Sequence, residues 1–200
     1  MTVCIAFVRH GPTDWNSGHR LQGRADIQLS DQGRAEVSQW RLPPCLAGIP
    51  WRVSPLRRAV ETAGLLGIST PVIEPRLIEM SWGEWEGERV ADLRARLGTE
   101  MRDNEARGLD MTPPGGESPR QVQDRLRPFL RELVGGPALT GAVSHKGVIR
   151  AVLALATGWD MRDKPDTRLD WRAAHVFSVD RAGRVSPHRL NMPLTEPGSS

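Results

Sequence analysis

The chain has 200 residues, 38% of them hydrophobic and 26% charged, which is enough to bury a sizeable core as one domain. Its 27 Lys and Arg residues alternate with 24 Asp and Glu to leave a net charge of +3; no clustered basic stripe marks a nucleic-acid partner. No stretch reaches membrane-spanning length, the N-terminus lacks the features of a signal peptide, and Cys4 and Cys45 have no metal-like spacing, so a cytoplasmic, reducing setting is expected.

The apolar run at residues 3–8 predicts a buried strand, ended by Arg9-His10-Gly11-Pro12. Residues 11–29 are polar and Gly-rich and predict a long loop. Ser30 caps a helix running to about Trp40, stopped by Pro43-Pro44. Trp51-Arg52-Val53 predicts a short strand. Ser54 and Pro55 then carry the N-cap and N1 signals of a helix reaching Leu66, with Gly67 as its stop. Pro71 to Glu74 predicts another short strand. Residues 75–117 are the least regular, with a loop at Met80–Gly87, a helix near Val90–Leu97 and a turn at Pro113-Pro114-Gly115-Gly116; they are expected to form an insertion over the sheet edge. Ser118-Pro119 repeats the cap signal before a helix whose Val122, Leu126, Phe129, Leu130 and Leu133 share one face and which Pro128 is expected to kink. A strand over Leu139–Ser144, a helix over Val148–Ala156 and a hairpin of Ala173–Val179 with Arg184–Leu190 complete the chain. Strands alternating with helices predict an α/β fold: a three-layer αβα sandwich on a mainly parallel sheet with an antiparallel edge. The expected organisation is a single domain over 1–194, with 75–117 as a cap, and a tail at 195–200.

Three strand ends share one logic. The first delivers Arg9 and His10, the second leads into a helix with Arg57 and Arg58 in its first turn, and the fourth ends at Ser144-His145-Lys146-Gly147. In a parallel sheet these ends lie on one edge, where α/β folds bind ligands. Two imidazoles, at least two guanidiniums and helix N-termini facing one cleft are unfavourable when empty and favourable around a dianion, which points to a phosphoryl group. No His-x-His or His-Glu-x-x-His pattern marks a metal site, no Gly-x-Ser-x-Gly elbow marks a serine hydrolase, and no Walker A or Gly-x-Gly-x-x-Gly loop marks a nucleotide fold. Neither metal nor cofactor is expected. His19, His175 and His188 stand outside any such pattern.

The segment Val8-Arg9-His10-Gly11-Pro12-Thr13-Asp14-Trp15-Asn16 resembles the opening motif of the histidine phosphatase superfamily, the phosphoglycerate-mutase-like proteins. The resemblance continues in order through Leu21 to Asp26, Leu29 to Gly33, Ser54 to Ala63, Leu77 to Gly87, Gly116-Glu117-Ser118 and Val143 to Arg150. It implies that His10 is the nucleophile that becomes a phosphohistidine. It implies that Arg9 and Arg58 bind the phosphate, Arg58 being preferred to Arg57 because it lies four residues after the motif serine. His145 resembles the second histidine, expected to hold the phosphoryl oxygens as a cation, and Glu79 the general acid. Glu84, Glu86 and Glu88 are rival acids that residue types alone do not separate from it. Asn16, Gln22 and Gly23 match loop positions that contact phosphate or substrate. Lys146 departs from the family pattern, which has a small residue there; the side chain is expected to face solvent rather than substrate. Trp15, Trp82 and Trp85 either rim the pocket or anchor the insertion.

The expected function is hydrolysis of a small phosphorylated metabolite, a metal-independent phosphomonoesterase reaction. Its alternatives are a cofactor-dependent phosphoglycerate mutase, whose usual extra segments this compact chain lacks, and a silent phospholigand-binding module. No membrane partner is expected; the terminal hairpin offers an edge strand that a homodimer could share.

Overall fold

A computed structural model describes residues 2–194; Met1 and the tail expected at 195–200 lie outside the described residues. Six strands form one mixed sheet: β1 (Val3–Arg9), β2 (Trp51–Val53), β3 (Val72–Ile73), β4 (Leu139–Ser144), β5 (Ala173–Val179) and β6 (Val185–Pro193), in the order β3-β2-β4-β1-β5-β6. The first four run parallel. β5 pairs antiparallel with β1, and β6 with β5, so the hairpin forms the expected antiparallel edge. Its turn closes on Asp180, whose Oδ1 accepts from Ala182 N and Arg184 N at 2.8 and 2.9 Å.

Among the described residues seven α-helices accompany the sheet: α1 (Asp14–Ser17), α2 (Asp31–Val37), α3 (Arg57–Leu65), α4 (Val90–Leu97), α5 (Thr99–Glu105), α6 (Pro119–Glu132) and α7 (Lys146–Thr157). The two-residue period of β1 sorts its side chains between two cores. Val3, Ile5 and Phe7 pack with the apolar faces of α6 and α7, whereas Ala6 and Val8 pack with Val37 of α2 and Ala59 and Ala63 of α3. That is the expected three-layer sandwich. Among the described residues no helix is long and apolar enough to cross a membrane.

Local signals set some boundaries and tertiary contacts moved others. Ser30 caps α2 through Gly33 N at 3.0 Å, but the helix ends at Val37, short of Trp40. Ser118 caps α6 in a full capping box with Gln121, and the helix runs on through Pro128 without interruption. Ser54 is not a cap: α3 starts at Arg57 behind Leu56, because the Ser54 hydroxyl is bonded to His145 instead. The loop at 11–29 contains α1, held by a capping box between Thr13 and Asn16. In 75–117 the structure adds α5 and a third apolar cluster of Trp85, Leu93 and Met101, which Trp82 and Met111 join to the main core.

Candidate active site

Parallel pairing of β1, β2 and β4 brings their carboxyl ends to one edge: Arg9 stands opposite Ser144, and His10 N donates to Ser144 O at 2.9 Å. His10 is buried, and its Nδ1 lies 2.7 Å from Gly11 O. A carbonyl only accepts, so Nδ1 carries the proton and Nε2 keeps its lone pair. Burial, with help from Arg9 and Arg58, holds this imidazole well below the usual 6.5, so it is neutral. Gly11 itself is fixed through its N–H, which donates to Thr62 Oγ1 at 2.9 Å, while that hydroxyl donates to Arg58 O at 2.6 Å.

The His145 ring lies 5.1 Å from that of His10. His145 is fully buried between β4 and α7; burial first, then Arg58, His10 and Arg9, hold it well below 6.5. Where the sequence reading expects a cationic His145, these surroundings favour the neutral ring, since the positive Arg58 and Arg9 and a dry site disfavour a further charge. Its Nε2 lies 2.6 Å from Ser54 Oγ, and that oxygen also accepts from Leu56 N at 3.4 Å. A hydroxyl that accepts from a backbone N–H is free to donate to Nε2. In that tautomer Nδ1 carries the ring proton, and Nδ1 is a buried atom with no partner.

Arg58 is completely buried. Its Nη1 and Nη2 donate to Ala25 O and Gly23 O at 2.8 and 2.7 Å, and its Nε is unpartnered. Arg9 lies 5.6 Å over the Trp171 ring, and its buried Nε is also unpartnered. Desolvation lowers both guanidiniums from their usual range without neutralising them. Arg57 points elsewhere, to Gln28 at 2.8 Å on the exposed side.

The four candidate acids differ in their surroundings, beginning with Glu79. It is buried, and its carboxylate accepts from Met80 N at 2.8 Å and Gly147 N at 3.2 Å, two residues beyond His145. A Cβ on Gly147 would stand 2.5 Å from Glu79 Oε1, so the close approach needs glycine. Glu86 is occupied in holding the loop, accepting from Arg24 N, Ala25 N and Trp82 N. Glu88 pairs with Arg96, and Glu84 is exposed. Sequence reasoning missed Arg125, which donates to Ile78 O at 2.7 Å and to Arg76 O, and which pairs with Glu117 at 2.9 Å. It fixes the segment that delivers Glu79. Its signal was a charged residue beside the apolar face of α6, opposite the Gly116-Glu117-Ser118 match.

The loop residues divide. Asn16 lines a cavity of about 140 Å³ beside His10, together with Arg9, Pro12, Trp40 and Trp171, and the Glu36–Arg172 pair stands at its edge. Gln22 donates to Thr13 Oγ1 at 2.6 Å and leaves a buried, unpartnered Oε1. Gly23 contributes its carbonyl to Arg58 at φ +52°. Of the two readings of the tryptophans, packing in the insertion is the one the contacts favour: Trp85 is buried in the third apolar cluster, Trp82 bridges two clusters and Trp15 packs on Gly87, while the aromatic walls beside His10 are Trp40 and Trp171. Lys146 is exposed, but its Nζ lies 5.6 Å over Trp171 rather than in open solvent.

A neutral imidazole on the same sheet edge as buried, unpartnered donors suits covalent transfer of a dense anion. A family model of the histidine phosphatase superfamily (branch 1) matches residues 5–191. The chain belongs to that superfamily. It is 36% identical over 182 residues to a glucosyl-3-phosphoglycerate phosphatase of Mycolicibacterium vanbaalenii, covering 80% of this chain and 77% of the relative. It is 30% identical over 167 residues to a 2,3-bisphosphoglycerate-dependent phosphoglycerate mutase of Azorhizobium caulinodans, covering 76% and 81%. The solved mycobacterial glucosyl-3-phosphoglycerate phosphatase in complex with VO3 superposes with a TM-score of 0.76 at 26% identity, over 95% of this chain and 99% of that one. The protein is a phosphoric monoester hydrolase of this superfamily, whose members work through a phosphohistidine.

Proposed function

We propose that His10 is the nucleophile, that Arg9, Arg58 and His145 hold the phosphoryl group, and that Glu79 is the general acid. The observation that carries this reading is the set of buried donors around His10 with no protein partner: Arg9 Nε, Arg58 Nε and His145 Nδ1. Buried polar atoms are normally satisfied, so three orphans beside one imidazole call for a ligand rich in acceptor oxygens. His10 Nε2 attacks phosphorus, the N–P bond forms, and the ester P–O bond breaks. The departing oxygen takes its proton from Glu79. Water then attacks phosphorus, gives a proton to Glu79, and the N–P bond breaks to free phosphate and His10. Arg9 and Arg58 offset charge on the equatorial oxygens, which is most of what phosphoryl transfer requires.

The substrate is proposed to be a small phosphate monoester, with glycerate phosphoesters first among candidates because relatives are named for them. Residues 1–194 act as a single domain in which 75–117 closes over the site. The test is brief exposure to a ³²P-labelled phosphoglycerate followed by an alkaline quench, which preserves phosphohistidine. Wild type retains label and turns over; His10→Ala does neither. Equal turnover by His10→Ala overturns the assignment. A coupled assay with 3-phosphoglycerate and bisphosphoglycerate decides against the mutase reading if no 2-phosphoglycerate forms.

A further inference from the structure

Residues 158–172 link α7 to β5 without a regular element, and Trp171 stands near their end. The guanidinium of Arg9 lies 5.6 Å from the centre of its ring. Among the described residues Arg9 pairs with no carboxylate, and its buried Nε has no partner. A long side chain with many rotamers must be held before it can aim its donors. An aromatic face can hold it without offering an acceptor that competes with a phosphoryl oxygen. Lys146 Nζ lies at the same 5.6 Å from that ring, so two cations converge on one indole. The indole is itself fixed from two sides. On one side stands the terminal hairpin, where Ala174 pairs with Met192 but Val176 with Arg189, so that β6 carries an extra residue opposite His175. Asn191, at this bulge, takes φ +57°, a backbone that asparagine tolerates better than most residues. Its Oδ1 accepts from Asp170 N at 2.7 Å, its Nδ2 donates to Arg168 O at 3.0 Å, and its N–H donates to His175 Nδ1 at 3.3 Å. The buried His175 ring in turn meets the Trp171 ring edge to face, 6.2 Å between centroids. On the other side Arg172 pairs with Glu36 of α2 at 2.9 Å.

We propose that Trp171 is a positioning residue for Arg9: its indole holds the guanidinium toward the phosphoryl site, and Asn191 at the bulge of β6 holds the indole. This rests on the reading above that Arg9 binds the phosphoryl group, and it extends that grip to a loop and a strand that carry no motif. The terminal hairpin then serves the phosphate site as well as closing the sheet.

The experiment is calorimetric titration of inorganic phosphate into the whole protein, with urea melts to show that each variant is folded. Trp171→Leu is expected to weaken phosphate binding about 3- to 30-fold, the worth of one cation–π contact. Trp171→Phe, which keeps an aromatic face, retains most of the affinity. Asn191→Gly keeps the backbone N–H and suits the left-handed φ but removes the side-chain clamp. It weakens phosphate in the same direction, and it carries the test should Trp171→Leu not fold. In an Arg9→Ala background neither substitution has a further effect, a coupling that a merely structural role would not produce. Unchanged affinity in either variant, a Trp171→Phe protein as weak as Trp171→Leu, or the same additional loss with Arg9 absent overturns this inference while leaving the phosphate site intact. Arg9→Ala with wild-type affinity, or a wild type that binds no phosphate, overturns the reading on which it rests.

Discussion

Replacing Gly23 by alanine tests how the loop that positions Arg58 is built. The residue sits at φ +52°, and an added Cβ would stand 2.5 Å from the carboxyl carbon of Glu86 and closer still to its Oε1. Left-handed backbone costs a non-glycine residue about 1–2 kcal/mol. The larger effect comes through Glu86, which must swing away and release Arg24 N, Ala25 N and Trp82 N. Losing those bonds to a charged acceptor costs about 3 kcal/mol in all, because water replaces part of each. Gly23→Ala is therefore expected to destabilise the protein by about 4–5 kcal/mol, a fall of roughly 10–15 °C in Tm for a chain of this size. Glu86→Ala alone should cost about 3 kcal/mol, and adding Gly23→Ala to it only about 1–2 kcal/mol more, since the bonds are already lost. Urea melts of the four proteins in the cycle read this coupling. Turnover of p-nitrophenyl phosphate should drop about tenfold or more in Gly23→Ala, because the carbonyls that clamp Arg58 shift with the loop. Strictly additive costs, or a Gly23→Ala protein as stable as wild type, would refute the proposed link between Gly23, Glu86 and Arg58.

Glu79→Gln keeps the shape of the side chain and removes its proton-transfer capacity. It should lower kcat for alkyl phosphates by about 10²–10⁴-fold and much less for p-nitrophenyl phosphate, whose leaving group needs no proton. Equal losses on both would assign Glu79 a structural role. The pH dependence of stability is a further test. His10 and His145 are held well below 6.5, and His175 is pushed down to about 4 by burial, so all three are neutral in the folded protein over mildly acidic pH. The unfolded chain protonates them near 6.5 and so binds more protons. Stability is thus retained above that pH and falls as the pH drops below it, by up to about 4 kcal/mol per unit for the three together. Urea midpoints at pH 7, 6 and 5 measure this; an unchanged midpoint contradicts the buried neutral state.

What could be read in the sequence was local or tied to strand ends. The strand before Arg9, the caps Ser30 and Ser118, and the hairpin turn at Asp180 depend on residues within a few positions, and each is present in the structure. Ser54 misled because its hydroxyl pairs with His145, 91 residues away, which outweighs its local capping preference. The same limit applied to the acids: Glu79 and Glu86 look alike in a list of residues, and only the N–H groups of Gly147 and of the Arg24 loop separate them. α1 and α5 were missed because they are short and polar, with no apolar stripe to declare them. The role of Trp85 was open in the sequence and is settled by its burial, and Trp171 went unnoticed because it lies in a segment with no motif.

The placement of β1 has a consequence for the order in which this enzyme is made. β1 and His10 leave the ribosome well before both hydrogen-bonded neighbours of β1, which are β4 at residues 139–144 and β5 at 173–179. Until about residue 179 has emerged, the central strand lacks one flank, its apolar residues stay uncovered and the imidazole has no dry site in which to sit. Translation thus delivers the nucleophile early and its enclosure late. Synthesis time at about 5–20 residues per second becomes an interval in which the nascent chain is exposed to misassembly but unable to act on phosphate esters.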